Sequence, residues 1–143
     1  MGKTAFIFPG QGAQYFGMGK DFFDKYEDSK KYFEEASKIL GFDMEKMCFE
    51  ENEELNNTQY TQAAMFTVCA AILQQIEKTG VKPDVCAGLS LGEYAALYSC
   101  GTITFEDAVY LLRKRGIFMD EEVPDGKGTM AAVLGMDADK IDD

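Results

Sequence analysis

The stretch Asp84-Val85-Cys86-Ala87-Gly88-Leu89-Ser90-Leu91-Gly92-Glu93-Tyr94 decides how the rest of the chain is read. A short apolar run enters a turn with glycines two residues either side of a serine, and a helix-forming segment follows. This is the Gly-x-Ser-x-Gly nucleophile elbow, in which a sharp strand-to-helix turn lifts a serine hydroxyl clear of a sheet. Gly88 and Gly92 stand where a side chain would collide with neighbouring backbone in so tight a turn. The helix N-terminus behind Ser90 offers free N–H groups and a positive dipole end to a developing oxyanion. By composition alone such a pattern turns up in roughly one chain in twenty of this length. A plain tight turn after a strand is therefore a real competitor, and the elbow needs support from the rest of the chain.

The bulk properties narrow the field. At 143 residues, 46% hydrophobic and 27% charged, the chain has globular composition and the length of one ordinary domain. A formal net charge of −11 argues against nucleic acid and anionic membrane as partners, because both require a basic face. No apolar run approaches the length of a membrane span. The N-terminus goes straight into a strand without a signal-peptide apolar region, so a cytoplasmic enzyme or part of one is expected. Cys48, Cys69, Cys86 and Cys100 are scattered without a Cys-x-x-Cys pair, which signals neither a zinc site nor a redox dithiol. They are expected to be buried, reduced thiols. The chain contains no histidine. A serine nucleophile normally needs a neighbouring base, most often histidine, and this chain does not supply one.

Taken in order, Thr4 to Phe8 reads as a short, buried-type strand ended by Pro9. The loop Pro9-Gly10-Gln11-Gly12-Ala13-Gln14 fails the dinucleotide fingerprint, since Tyr15 stands where a glycine is required. Asp28 to Leu40 reads as a helix with Tyr32, Phe33, Ala36, Ile39 and Leu40 on one stripe, stopped by Gly41. Glu50 to Glu54 is acidic and solvated. A long helix from Thr58 or Thr61 to Thr79 is apolar nearly all round and so buried, with Gly80 and Pro83 ending it. Val85 to Ala87 forms the strand into the elbow and Gly92 to Cys100 the helix out of it. Thr104 and Asp107 resemble a capping box opening a helix to about Met119 or Glu121, which carries the basic cluster Arg113-Lys114-Arg115. Arg113 and Lys114 read as solvated cations, with attraction of phosphates or an acidic partner as the second reading. A turn-rich linker follows, then a strand from Thr129 to Leu134 and the opening of a helix from Asp137. Strands alternating with helices indicate an α/β fold with a mainly parallel sheet, over 1–125, and the start of a second unit over 126–143.

Four motifs in fixed order raise the elbow above coincidence: Phe8-Pro9-Gly10-Gln11-Gly12-Ala13-Gln14, Thr61-Gln62, Gly88-Leu89-Ser90-Leu91-Gly92-Glu93-Tyr94 and Arg115-Gly116-Ile117-Phe118-Met119. Together they resemble the malonyl-CoA:acyl carrier protein transacylase family of fatty acid synthesis and the related acyltransferase domains of polyketide synthases. The resemblance runs the length of the chain and covers about the first half of the family's catalytic unit. It implies a parallel-sheet, α/β-hydrolase-like acyltransferase core, incomplete here, with the first strand of a small ferredoxin-like subdomain. It implies that Ser90 attacks the thioester of malonyl-CoA and that the phosphopantetheine thiol of acyl carrier protein then takes the malonyl group. The backbone N–H groups of Gln11 and Leu91 would form the oxyanion hole, and Arg115 would grip the free malonyl carboxylate. Gln62, Leu89 and Met119 would border the acyl pocket. No cofactor or metal is implied. The family usually has histidine where this chain has Leu89, and its catalytic histidine lies in the half not represented here. A complementing second half, or self-association through apolar surface, is therefore expected. Two other readings stay open: a non-catalytic module that binds acyl-CoA or carrier, and a serine esterase of the α/β-hydrolase type.

Overall fold

The structure is a computed structural model that describes residues 2–123, 127–128, 133–137 and 140. Two short strands run in parallel, β1 (Ala5–Phe8) and β2 (Val85–Gly88), with Ala5 opposite Val85 and Phe8 opposite Gly88. Thr4 and Asp84 lock the start of the pair. The Thr4 N–H donates to the Asp84 carboxylate at 2.8 Å, and the Asp84 N–H donates to the Thr4 carbonyl at 2.8 Å.

Helices fill the sequence between and after the strands: α1 (Lys20–Lys25), α2 (Glu27–Leu40), α3 (Met44–Phe49), α4 (Thr58–Lys78), α5 (Gly92–Ser99) and α6 (Phe105–Glu122). The caps follow the sequence. Gly41 ends α2 with φ 76°, and the Thr104 side chain accepts from the Asp107 N–H at the start of α6. Both are standard solutions for the unpaired groups at helix ends. Periodicity did not reveal α1, α3 or the 3-10 turn at Glu54–Asn56, because six residues or fewer hold too little of a 3.6-residue pattern to register.

The core is centred on α4, which buries twelve of its residues, from Thr61 to Gln75, against α2, α5 and α6. Phe33 of α2, Phe66 of α4 and Leu112 of α6 are fully buried within it. A ring cluster of Phe66, Tyr98 and Phe105 ties α4, α5 and the start of α6 together with centroid separations of 5.5 to 6.3 Å. Such pairs add about 0.5–1.5 kcal/mol beyond their area. Residues at helical spacing all around α4 are buried, as the sequence requires of a helix apolar on every side.

Three expectations are corrected. β1 is not buried on both faces: Phe6 and Phe8 turn to α5, whereas Ile7 is 78% exposed and Val85, on the same face of β2, is 55% exposed. The cysteines are not uniformly buried: Cys48 is, Cys69 and Cys86 are partly covered, and Cys100 is exposed. Arg113 is not a solvated cation. Its guanidinium donates to the Gln59 carbonyl at 2.7 Å and stacks 4.3 Å from the Tyr60 ring centroid, which makes it a clamp between α6 and α4. Of the strand expected over 129–134, residues 129–132 lie outside the described residues, as does most of the helix expected from Asp137. Among the described residues no helix is long and apolar enough to cross a membrane, and none form a cluster suited to holding a metal ion.

Candidate active site

The elbow is built by close backbone approach. A Cβ on Gly88 would stand 2.0 Å from the carbonyl group of Gly92, and one on Gly92 would stand 2.6 Å from the Phe8 carbonyl oxygen. Real Cβ atoms do not come that near, so both positions require glycine. Gly10 is held to the same rule, because its Cβ would lie 2.8 Å from the Leu89 carbonyl oxygen. The loop after β1 is thereby packed against the elbow after β2. The Leu89 N–H reinforces the contact by donating to the Phe8 carbonyl at 3.1 Å.

Ser90 is the one non-glycine with positive φ among the described residues, at 55°. A left-handed conformation costs an L-residue roughly 1–2 kcal/mol, and it persists only where surrounding structure imposes it. The two flanking glycines impose it here, and the result is an exposed serine at the mouth of α5. Behind it, Gly92, Glu93 and Tyr94 each donate backwards to Leu89, Ser90 and Leu91 carbonyls at 2.9 to 3.1 Å. Among the described residues no protein acceptor takes the Leu91 N–H or the Gln11 N–H. The Gln11 side chain instead donates to Thr58 Oγ1 at 3.1 Å, which ties its loop to the start of α4.

Arg115 reaches this point from α6. Its Nη2 donates to Ser90 Oγ at 3.0 Å and its Nη1 donates to Gln62 Oε1 at 2.7 Å. Gln62 is 1% exposed, and its amide nitrogen in turn lies 3.3 Å from Met119 Sδ. A chain of contacts therefore runs Ser90–Arg115–Gln62–Met119. It exists because Gly116 lets α6 touch the first turn of α4: a Cβ there would be 2.6 Å from Gln59 Cα. Asp120 completes the clamp by accepting from the Gln59 N–H at 3.1 Å.

The charge balance of Arg115 is unusual. The chain carries 25 acidic residues, yet among the described residues no carboxylate lies within ion-pair distance of Arg115. Both observed acceptors are neutral oxygens. An incoming carboxylate would replace a neutral hydrogen bond with a charge-assisted one, about twice as strong and suited to the planar fork of guanidinium donors.

The structure brings Ser90, Leu91, Arg115, Gln62, Met119 and the Gln11 loop to one place. Leu89 is 70% exposed beside them. Among the described residues the Glu93 carboxylate, three residues after the serine, makes no hydrogen bond to the Ser90 hydroxyl. The Arg113–Gln59–Asp120 clamp was missed by sequence reasoning, because nothing local marks a backbone group on a distant helix as a partner. An apolar groove among the described residues lies away from Ser90. It runs for about 390 Å³ beside β1, between Ile7, Tyr15, Val68 and Ile72.

Known proteins share the sequence and fold of this chain. The acyl transferase domain model matches residues 5–141. The malonyl CoA-acyl carrier protein transacylase of Bacillus subtilis is 47% identical over 142 residues, covering 99% of this chain and 45% of that protein. The crystal structure of the Clostridium perfringens malonyl CoA-acyl carrier protein transacylase superposes with a TM-score of 0.90 at 52% identity, over 99% of this chain and 45% of that one. A malonyl-transacylase solved with its type II PKS acyl-carrier protein superposes with a TM-score of 0.83 at 39% identity, over 87% of this chain and 41% of that one. The chain thus spans a little under half the length of these relatives. With that length matched almost end to end by the family model, this chain belongs to the acyl transferase domain family.

Proposed function

We propose that this chain forms the nucleophile-bearing part of a malonyl-CoA:acyl carrier protein transacylase. The observation that carries the proposal is Arg115, a guanidinium without a carboxylate partner among the described residues, 3.0 Å from the hydroxyl of an elbow serine. In the first half-reaction Ser90 Oγ attacks the thioester carbonyl of malonyl-CoA. The C–S bond breaks, coenzyme A leaves as the thiol with the serine proton, and malonyl remains on Ser90 as an ester. In the second, the phosphopantetheine thiol of the carrier protein takes the malonyl group and returns the proton to Ser90.

The N–H groups of Leu91 and Gln11 receive the oxyanion in both steps, each such donor being worth about 3–4 kcal/mol. Arg115 exchanges its bond to Ser90 for the malonyl carboxylate, and buried Gln62 holds the guanidinium in plane while it does so. Leu89 and Met119 border the acyl group. Acyl exchange between a thioester and a hydroxyl needs neither cofactor nor metal. It does need a base, and the chain has no histidine. The base comes from polypeptide corresponding to the remaining length of the relatives. The same polypeptide covers the exposed sheet face at Ile7 and Val85, since parallel strands are stable when covered on both faces. Residues 1–125 belong to the α/β core, and 126–143 begin the small ferredoxin-like subdomain. The compartment is the cytoplasm.

Intact-mass spectrometry after incubation with malonyl-CoA tests the proposal, with Ser90→Ala as control. An adduct absent from the control supports Ser90 as the acylated residue. No adduct on the chain alone, but one on adding the remaining polypeptide, places the base in that part. No adduct in either case, with malonyl-CoA still bound, overturns the catalytic reading in favour of a binding module.

A further inference from the structure

Two of the four cysteines bracket the elbow. Cys86 lies in β2 on the face turned to α5, and Cys100 is the residue that closes α5. Both line one open cleft with Gly88, Glu93, Ala96 and Leu97. The Cys86 thiol donates to Ser99 Oγ at 3.4 Å, one residue from Cys100. The neighbouring Cys86 thiol, with desolvation second, raises the pKa of the Cys100 thiol. Cys100 is exposed and Cys86 stands half-buried behind it. Cys48 differs, since burial encloses it and pushes its thiol up to about 12.

The geometry points to a redox-active dithiol at Cys86 and Cys100, a site that reduces a small-molecule disulfide of the glutathione class and closes an internal disulfide. Exposed Cys100, as thiolate, attacks one sulfur of the small disulfide. That S–S bond breaks, a mixed disulfide forms on Cys100, and one small thiol leaves with a proton. The Cys86 thiolate then attacks Cys100 Sγ and releases the second small thiol. The protein dithiol is oxidised by two electrons and the small disulfide is reduced by two. The product is a covalent ring that contains Ser90 and fastens the strand entering the elbow to the end of the helix leaving it. Exposure orders the steps, because the accessible thiol is attacked first and the covered one resolves the adduct.

The test treats the reduced native chain with oxidised glutathione, quenches in acid, denatures and alkylates. Glutamyl endopeptidase then cuts at Glu93, between the two cysteines. The expected result is a protein lighter by two hydrogens, with the Cys86 and Cys100 fragments linked until reductant is added, and with Cys48 and Cys69 alkylated. A Cys86→Ser variant is expected to stop at a glutathione adduct on Cys100. A native chain that keeps the adduct on Cys100 with Cys86 free overturns the inference. So does a chain that leaves both thiols alkylatable, or one that links two molecules through Cys100. The native-chain map requires no variant to fold.

Discussion

Replacing Gly116 with alanine sets two effects of known size against each other. In a helix interior alanine is favoured over glycine by about 1 kcal/mol, so α6 alone would gain from the change. The new Cβ, however, would stand 2.6 Å from Gln59 Cα and 2.7 Å from the Thr58 carbonyl oxygen. Carbon contacts are comfortable at about 3.5–4.0 Å, so α6 and the first turn of α4 must part by roughly 1 Å. The obstructing atoms are backbone and cannot rotate aside, which places the cost at the upper end of the ~1–3 kcal/mol typical of overpacking. Separation also breaks the 2.7 Å bond from Arg115 to Gln62, a charged hydrogen bond of about 1.5 kcal/mol or more. The balance is a loss of about 3–4 kcal/mol for Gly116→Ala. Urea denaturation followed by far-ultraviolet circular dichroism measures it, with an expected fall in midpoint of about 1–2 M. A midpoint that is unchanged or raised would refute the close-approach account, and with it the argument that Gly116 is what lets Arg115 reach Ser90.

Other outcomes follow from single contacts. The Ser90→Gly variant should be more stable than Ser90→Ala by about 1 kcal/mol, because both lose the bond to Arg115 and only alanine keeps the cost of φ 55°; equal midpoints would show an unstrained elbow. Arg115→Lys should weaken malonyl-CoA binding by about tenfold, read by titration calorimetry, since an ammonium cannot serve Gln62 and a carboxylate in one plane. Hydrogen bonds from Lys31 and then Lys78 hold the Asp28 carboxyl well below its usual range, at about 2. Its folded value is depressed, so its stabilisation is present above about 4 and disappears as pH falls towards 2. Asp28→Asn should flatten that part of the acid-unfolding curve, and an unaltered curve would remove the ion pairs from the account.

Much of this was legible in the sequence for a local reason. The elbow glycines, the Gly41 stop and the Thr104 cap are set by which residues can adopt a given backbone conformation, and that is decided within a few positions. The all-apolar register of α4 likewise announced a buried helix. The short helices α1 and α3 were not legible, because their few residues carry too little pattern and they form where α2 and α4 offer something to pack on. Sequence resemblance assigned Arg115 to the substrate carboxylate, but its contact with Ser90 depends on residues 25 positions apart meeting in space.

The sequence by itself therefore determined the longer elements, the elbow turn and the absence of a histidine, since each is a property of residue type and near neighbours. Tertiary structure alone decided which cation faces Ser90, which face of the sheet stays uncovered and which two thiols share a cleft. Arg113 and Arg115 are two residues apart on one helix, and apart from the family resemblance nothing in the local sequence separates them. The close approach of α6 to α4 at Gly116 sends the first to the Gln59 carbonyl and the second to the serine.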